Sequence, residues 1–251
     1  MTTAKGALKF PELDLSTTAV GHEMAVPWFI SPVGSLRALW PMADAVASQV
    51  AGEFGTVMAQ STLSGTPMED VTAASSGDCW FQLYLCGGRE TALRGIERAK
   101  QAGFTALILT IDTGVSGLRA LHAKMKPMQA TASFRGLSPA EQLQLAFQKL
   151  LLAPQMVPRL PWLLDHFRDG GLMQLVNVID AQGQPMPYAD IGTQLAAAAV
   201  TWDDLRWVKE AWGDDRPLII KGAHSAYDAR MAEQMGATGG IWSNHGGRQQ
   251  D

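Results

Sequence analysis

Short apolar runs rich in β-branched and aromatic residues recur along the chain, each bounded by Gly, Pro or Ser. They fall at residues 26–31, 56–61, 80–85, 106–112, 217–221 and 240–244. Apolar runs of this length, without strict alternation, read as strands buried on both faces, which is the habit of parallel sheets. Between them the period changes to helical. Residues 90–102 carry such a pattern and stop at Gly103, and residues 202–212 come after Thr201, a good N-cap, and stop at Gly213. The first four strands start about 25 residues apart, the length of one βα unit, so the pattern predicts a barrel or a doubly wound sheet.

The spacing then breaks. Roughly 100 residues separate the fourth and fifth strands, far more than one unit requires, and an insertion is expected there. Ser138-Pro139-Ala140-Glu141 has capping-box spacing with Pro at the first helical position, and Leu143, Phe147, Leu150 and Leu151 share one helical face. Pro154, Pro158 and Pro161 interrupt the next stretch of chain, and between 142 and 164 only Lys149 and Arg159 are charged. No internal linker stands out, so residues 1–251 read as one domain with an insertion over 125–200.

Composition narrows the function classes. Hydrophobic residues make up 47% and charged residues 18% of the 251, an ordinary globular balance that excludes a disordered chain. The net charge of −4 and the lack of any Lys/Arg block argue against a nucleic-acid partner. No run of apolar residues is long enough to span a bilayer, and no apolar stretch comes after Met1 as a signal peptide would require. Cys79 and Cys86 imply no disulfide framework and suit a reducing cytosol. His22, His122, His166 and His224 have no ligand spacing, so no metal is expected; a dinucleotide fingerprint and a P-loop are both missing.

Polar residues gather at the C-terminal ends of the predicted strands. These ends carry Ser31-Pro32, Ser61-Thr62, Gln82 with Tyr84, Thr110 with Asp112, Lys221, and Ser243-Asn244-His245. In an α/β barrel those ends converge on the face where sites are built. A single polar residue there is ordinary loop chemistry, and Lys221 alone could be a lysine snorkelling from a strand end. Six in succession point to a shared site. Lys221 could stabilise negative charge on an electron acceptor. His245, with Gly246-Gly247-Arg248 after it, could be a base beside a clamp, and Arg119 could join Arg248 in gripping a carboxylate, although each also reads as a surface residue.

The pieces Ser31-Pro32-Val33-Gly34, Trp80-Phe81-Gln82-Leu83-Tyr84, Leu109-Thr110-Ile111-Asp112, Ile220-Lys221-Gly222 and Ser243-Asn244-His245-Gly246-Gly247-Arg248-Gln249 occur in that order. Together they resemble the FMN-dependent 2-hydroxy acid dehydrogenases and oxidases, with Leu39-Trp40-Pro41 and the apolar insertion most similar to the mandelate dehydrogenase branch. The resemblance implies a TIM (β/α)8 barrel, incomplete here with about six strands and a long insertion after the fourth. It implies oxidation of a 2-hydroxy acid with FMN as first acceptor. Pro32, Val33, Gly34, Ser61, Gln82, Thr110 and Ser243 would hold the flavin ring, and Lys221 would sit at its edge. His245 would be the base, oriented by Asp112; Arg119 and Arg248 would bind the carboxylate; Tyr84 would hydrogen-bond near the substrate. Quinone or oxygen would take the electrons. A homo-oligomer is expected, tetrameric in relatives, cytoplasmic or peripheral on the inner face of the cell membrane through 142–164.

Set against the family pattern, nothing before Leu15 corresponds to the N-terminal helical segment with its active-site tyrosine. The last two strands, with their phosphate-binding loops, have no counterpart up to Asp251. The loop carrying Arg119 lacks the proline usual after the aspartate and the charged residues usual after the arginine. The chain is therefore expected to be truncated at both ends and to bind FMN poorly. A catalytically inactive barrel fragment with a structural or binding role is the alternative.

Overall fold

A computed structural model of the chain describes residues 13–113, 138, 140, 154, 157–171, 173–243 and 245. Two three-residue strands, β1 (Thr17–Ala19) and β2 (His22–Met24), pair antiparallel. Their connection is Val20-Gly21, both at positive φ (46° and 88°), the two-residue turn whose twist matches that of a hairpin. Then come α1 (Ala43–Glu53), β3 (Met58–Ser61), α2 (Met68–Ala74), β4 (Cys79–Leu83), α3 (Gly88–Ala102) and β5 (Ala106–Thr110). Beyond residue 156 lie α4 (Leu160–Arg168), the antiparallel pair β6 (Gln174–Ile179) and β7 (Pro185–Pro187), and α5 (Ile191–Ala197). The chain then continues through α6 (Trp202–Trp212), β8 (Leu218–Lys221), α7 (Ala226–Gln234) and β9 (Gly239–Ile241).

Among the described residues, five strands form one parallel sheet in the order β3-β4-β5-β8-β9, the wall of an incomplete barrel. The strand expected over 26–31 is reduced to a single parallel bridge, Ile30 to Met58. Pro27 and Pro32 supply no N–H, and Trp28 stands 52% exposed, so a longer ladder has neither the donors nor the burial to hold it. The strand expected over 240–244 pairs only over Gly239–Ile241.

Strand residues are buried on both faces, and the two faces do different work. Phe81, Leu83, Leu107, Leu109, Leu218 and Ile220 pack outward against the helices, with Ile96, Leu205, Val208 and Trp212. Ala59, Trp80, Ala106, Ile108 and Ile219 point inward and meet Met24, Val20 and Phe29 from the hairpin region. The hairpin sits at the N-terminal ends of the strands, where His22 Nδ1 bonds Asp78 at 2.8 Å.

The helix ends obey local chemistry. Thr201 and Ser225 each form a capping box, with Asp204 and Asp228 as the reciprocal partners. Gly103 ends α3 at φ 93°, its N–H reaching Ala99 and Lys100 carbonyls. Part of the region expected as an insertion belongs to the core. Leu175 and Val178 of β6 are buried beside α3, and the Arg98 Nη1 donates to the Val176 carbonyl at 2.7 Å. The residues proposed to carry an apolar helical face, 143–151, lie outside the described residues.

Candidate active site

Side chains alternate along a strand, so each inward apolar residue is succeeded two positions later by another inward residue. Moving one such step toward the C-terminal ends, Ala59 gives way to Ser61, Trp80 to Gln82, Ile108 to Thr110 and Ile219 to Lys221. The register puts Ser61 opposite Gln82 and Thr110 opposite Lys221. A polar layer therefore lies directly above the apolar interior, at the barrel mouth.

That layer is connected. Ser61 Oγ donates to Gln82 Oε1 at 3.0 Å, and Gln82 Nε2 donates to Thr110 Oγ1 at 2.9 Å, with all three residues buried. Each bond occupies an acceptor. The Thr110 hydroxyl proton and the second Gln82 amide proton remain as donors, with the Lys221 ammonium group beside them. Burial pulls the Lys221 pKa below the usual lysine value, and the Asp112 charge opposes that shift.

Asp112, just past β5, is the centre of a second cluster. Its side chain is 4% exposed. His245 Nδ1 donates to Oδ1 at 2.7 Å and Ser243 Oγ donates to Oδ2 at 2.7 Å. Burial alone would push this carboxyl up. The bonds from His245 and Ser243, with the charges of His245 and Lys221, outweigh it and hold the acid below the ordinary carboxylate range. With Nδ1 bound to Asp112, the lone pair of a neutral His245 ring lies on Nε2, which is 3.3 Å from Lys221 Nζ.

Backbone shape makes this approach possible. Gly222 has φ 100°, and a Cβ there would fall 2.4 Å from Asp112 Cγ. Only glycine accommodates both the conformation and the neighbour. Tyr84 is buried nearby, its phenol held well above the usual tyrosine range by burial first and the Asp112 charge second.

The remaining expected residues divide. Pro32, Val33 and Gly34 lie on the loop beyond the Ile30 bridge, against the loop after β3: Ser35 N–H donates to the Leu63 carbonyl at 3.0 Å, and a Cβ on Gly34 would come within 3.1 Å of Leu63 Cβ. Ser243, expected beside the flavin, places its hydroxyl on Asp112. Arg119 and Arg248 lie outside the described residues. One residue was missed: His224, whose Nε2 stands 3.7 Å from Asp112 Oδ2. It comes three positions after Lys221, so its nearness to a strand end was the available signal. The donor set suits FMN, because a planar heterocycle that gains electrons needs N–H and O–H donors and a fixed cation along its polar edge, which Gln82, Thr110 and Lys221 offer.

Comparison with known proteins leads to the same place. An FMN-dependent dehydrogenase family model matches residues 7–251. (S)-Mandelate dehydrogenase of Pseudomonas putida is 34% identical over 241 residues, covering 94% of this chain and 56% of that protein. L-lactate dehydrogenase of Ectopseudomonas mendocina is 35% identical over 244 residues, covering 96% of this chain and 59% of that protein. The crystal structure of a monotopic membrane protein, (S)-mandelate dehydrogenase, superposes with a TM-score of 0.72 at 34% identity, covering 94% of this chain and 58% of the other. The chain thus spans less than two thirds of the length of these relatives. With the family model matched across nearly all its residues and two relatives above 30% identity, the chain belongs to the FMN-dependent dehydrogenase family.

Proposed function

We propose that this chain forms the catalytic mouth of an enzyme that oxidises a small 2-hydroxy acid of the mandelate or lactate kind to the 2-oxo acid. The observation that carries the reading is the meeting of His245, Asp112 and Lys221 at the strand ends, beside the Ser61–Gln82–Thr110 line of hydrogen bonds. FMN, when bound, supplies the electron acceptor. The protein's own groups do the rest. His245 takes a proton from the substrate at Nε2, since Nδ1 is committed to Asp112. Asp112 fixes the ring and stabilises the imidazolium that results, while Ser243 keeps the carboxylate aimed. Lys221 holds positive charge at the polar edge, with Gln82 and Thr110 donating beside it. Arg119 and Arg248 are assigned the substrate carboxylate, and Tyr84 a hydrogen bond near the substrate.

The test is anaerobic mixing of the FMN-reconstituted protein with mandelate and with lactate, monitoring the flavin's visible absorbance band. Bleaching by either acid supports the reading. Stoichiometric flavin binding with no bleaching by either would overturn it. Reoxidation by a quinone analogue or by oxygen then assigns the second acceptor. Failure to bind FMN at all would instead select a second reading, a barrel with a structural or binding role and no catalysis of its own.

We also propose peripheral contact with a membrane, in a homo-oligomeric enzyme. Among the described residues no helix is long and apolar enough to cross a bilayer. Leu160, Leu164 and Phe167 of α4 share one face and are 50–64% exposed. Leu39 and Trp40 are 73% and 65% exposed, and Trp162 Nε1 ties α4 to the Leu39 carbonyl at 2.9 Å. Paired apolar protrusions held together in this way suit the interfacial zone of a lipid surface.

A further inference from the structure

Asp112 is reached by two imidazoles rather than one. His245 occupies Oδ1 at 2.7 Å, while His224 Nε2 lies 3.7 Å from Oδ2, the oxygen that also accepts from Ser243. The two histidines come from different elements. His245 lies after β9, whereas His224 lies between β8 and α7, on the turn that begins with Gly222. That turn is fixed at both ends. Gly222 N–H donates to the Ile241 carbonyl at 3.0 Å, and the His224 N–H donates to Asp228 Oδ2 at 3.1 Å, inside the capping box of α7. The His224 backbone therefore cannot drift from Asp112 without unwinding a helix start. Its side chain is 54% exposed, against 4% for the carboxylate, so the bulk solvent's proton activity reaches His224 directly.

We propose that His224 is a positioning residue for the reaction: it shares Asp112 with His245 and sets how firmly the carboxylate holds the base. This rests on the assignment of His245 as base under Proposed function. At 3.7 Å the contact is one of charge rather than a hydrogen bond. A protonated His224 draws Asp112 charge toward Oδ2 and leaves less of it for a protonated His245; a neutral His224 releases it. Among the described residues, the other charged or titratable groups around the pair are Lys221 from β8, against both His245 nitrogens at 3.3 and 3.4 Å, Tyr84 beyond β4, and Asp228 from α7. Asp228, held below the ordinary carboxylate range by its capping bonds, stays charged, and Tyr84 stays neutral; Lys221 is common to all the variants compared below, so what changes between them is the group at position 224. In effect the charge carried by the more exposed histidine is felt by the half-buried base through one shared carboxylate.

The experiment is a pH titration of imidazole nitrogen signals by NMR on the full chain, with the His245 signal assigned by its loss in His245→Gln. It compares the parent with His224→Leu and His224→Lys. The His224 side chain is exposed, and its backbone bond to Asp228 survives substitution, so both variants should fold; circular dichroism checks this. The fixed cation of His224→Lys should move the His245 midpoint down by about half a pH unit, an effect moderated by solvent screening. His224→Leu should turn a two-step His245 curve into a single step. A purely structural role would produce neither change. If the three His245 curves superimpose, the proposal fails. Because the titration requires neither turnover nor bound flavin, that result stands apart from failure of flavin bleaching, which would instead remove the assignment of function.

Discussion

Gly222→Ala tests the geometry on which the site depends. The cost has two parts that the structure separates. An L-residue forced to a left-handed φ loses about 1 kcal/mol relative to glycine. The new Cβ also lies 2.4 Å from Asp112 Cγ and 2.6 Å from both its Cβ and Oδ1, so three atoms of one side chain must retreat together. Asp112 then loses its 2.7 Å bonds from His245 and Ser243. Hydrogen bonds to a charged group contribute about 1.5–3 kcal/mol each, and a displaced carboxylate regains part of that from water, so a total destabilisation of about 2–4 kcal/mol is expected. Gly103→Ala is the control. Gly103 has φ 93°, nearly the same conformation, and nothing lies within 4 Å of its would-be Cβ, so this variant should lose only about 1 kcal/mol. Urea unfolding of the two variants measures the difference, and substrate-driven flavin bleaching, expected to slow by about 10- to 100-fold only in Gly222→Ala, measures its consequence for the base. Equal unfolding free energies with unchanged bleaching would mean that Asp112 is not held where the collision requires.

Burial and charge give three further outcomes. Lys221→Met should leave stability at neutral pH undiminished, because the buried ammonium, whose pKa burial depresses, carries a desolvation cost that methionine does not; bleaching should slow by about 100-fold, and a variant that keeps its rate would remove Lys221 from the site. Asp44 is fully buried with its carboxyl pushed up by burial, so the folded state favours the neutral acid, and this stabilisation is lost as pH rises through the elevated value; Asp44→Asn should therefore raise the melting temperature near neutral pH but not at about pH 4, and an equal gain at both would contradict the assignment. Replacing Leu160, Leu164 and Phe167 together with serine should weaken liposome flotation about tenfold or more without changing the melting temperature, since all three are exposed; unchanged flotation would place the membrane contact elsewhere.

The parts of the fold that were legible in the sequence are those governed by long, repeated patterns. The strands β3, β4, β5 and β8 lie within or nearly within the apolar runs that announced them, and Thr201, Gly103 and Gly213 act at the helix ends as their chemistry indicates. The features that escaped were short or contradictory. The strands β1 and β2 are three residues each, below the length at which alternation can be seen. The strand β7 contains Pro185 and Pro187, which argue against a strand, yet it is tolerated as the outer member of a two-stranded pair. At the site, His245, Asp112 and Lys221 were visible because each closes an apolar run. His224 was judged for metal-ligand spacing, a one-dimensional criterion, whereas its relation to Asp112 arises only when β5 and β8 become neighbours across more than 100 residues of chain.

That neighbourhood also explains why fold and site impose the same constraint here. The Ser61–Gln82–Thr110–Lys221 layer and the Ala59–Trp80–Ile108–Ile219 layer lie on one face, a single side-chain step apart. A one-residue slip of any strand would send its polar residue outward among Phe81, Leu107 and Ile220, where an unpaired ammonium or amide has no partner, and would bring an apolar side chain to the mouth. Burial of the outer layer therefore fixes the register, and the register delivers the donors and Lys221 to a common edge. Asp112 lies beyond the last paired residue of β5, so register alone does not fix it. Its position depends instead on the absence of a side chain at Gly222 and on the groups that Ser243, His245 and His224 place around it. The apolar layers thus set where Ser61, Gln82, Thr110 and Lys221 stand, and a small set of loop residues sets the Asp112–His245 pair. Substitutions within the apolar layers should be read out mainly as stability, whereas those among the loop residues should alter rate and pH dependence as well.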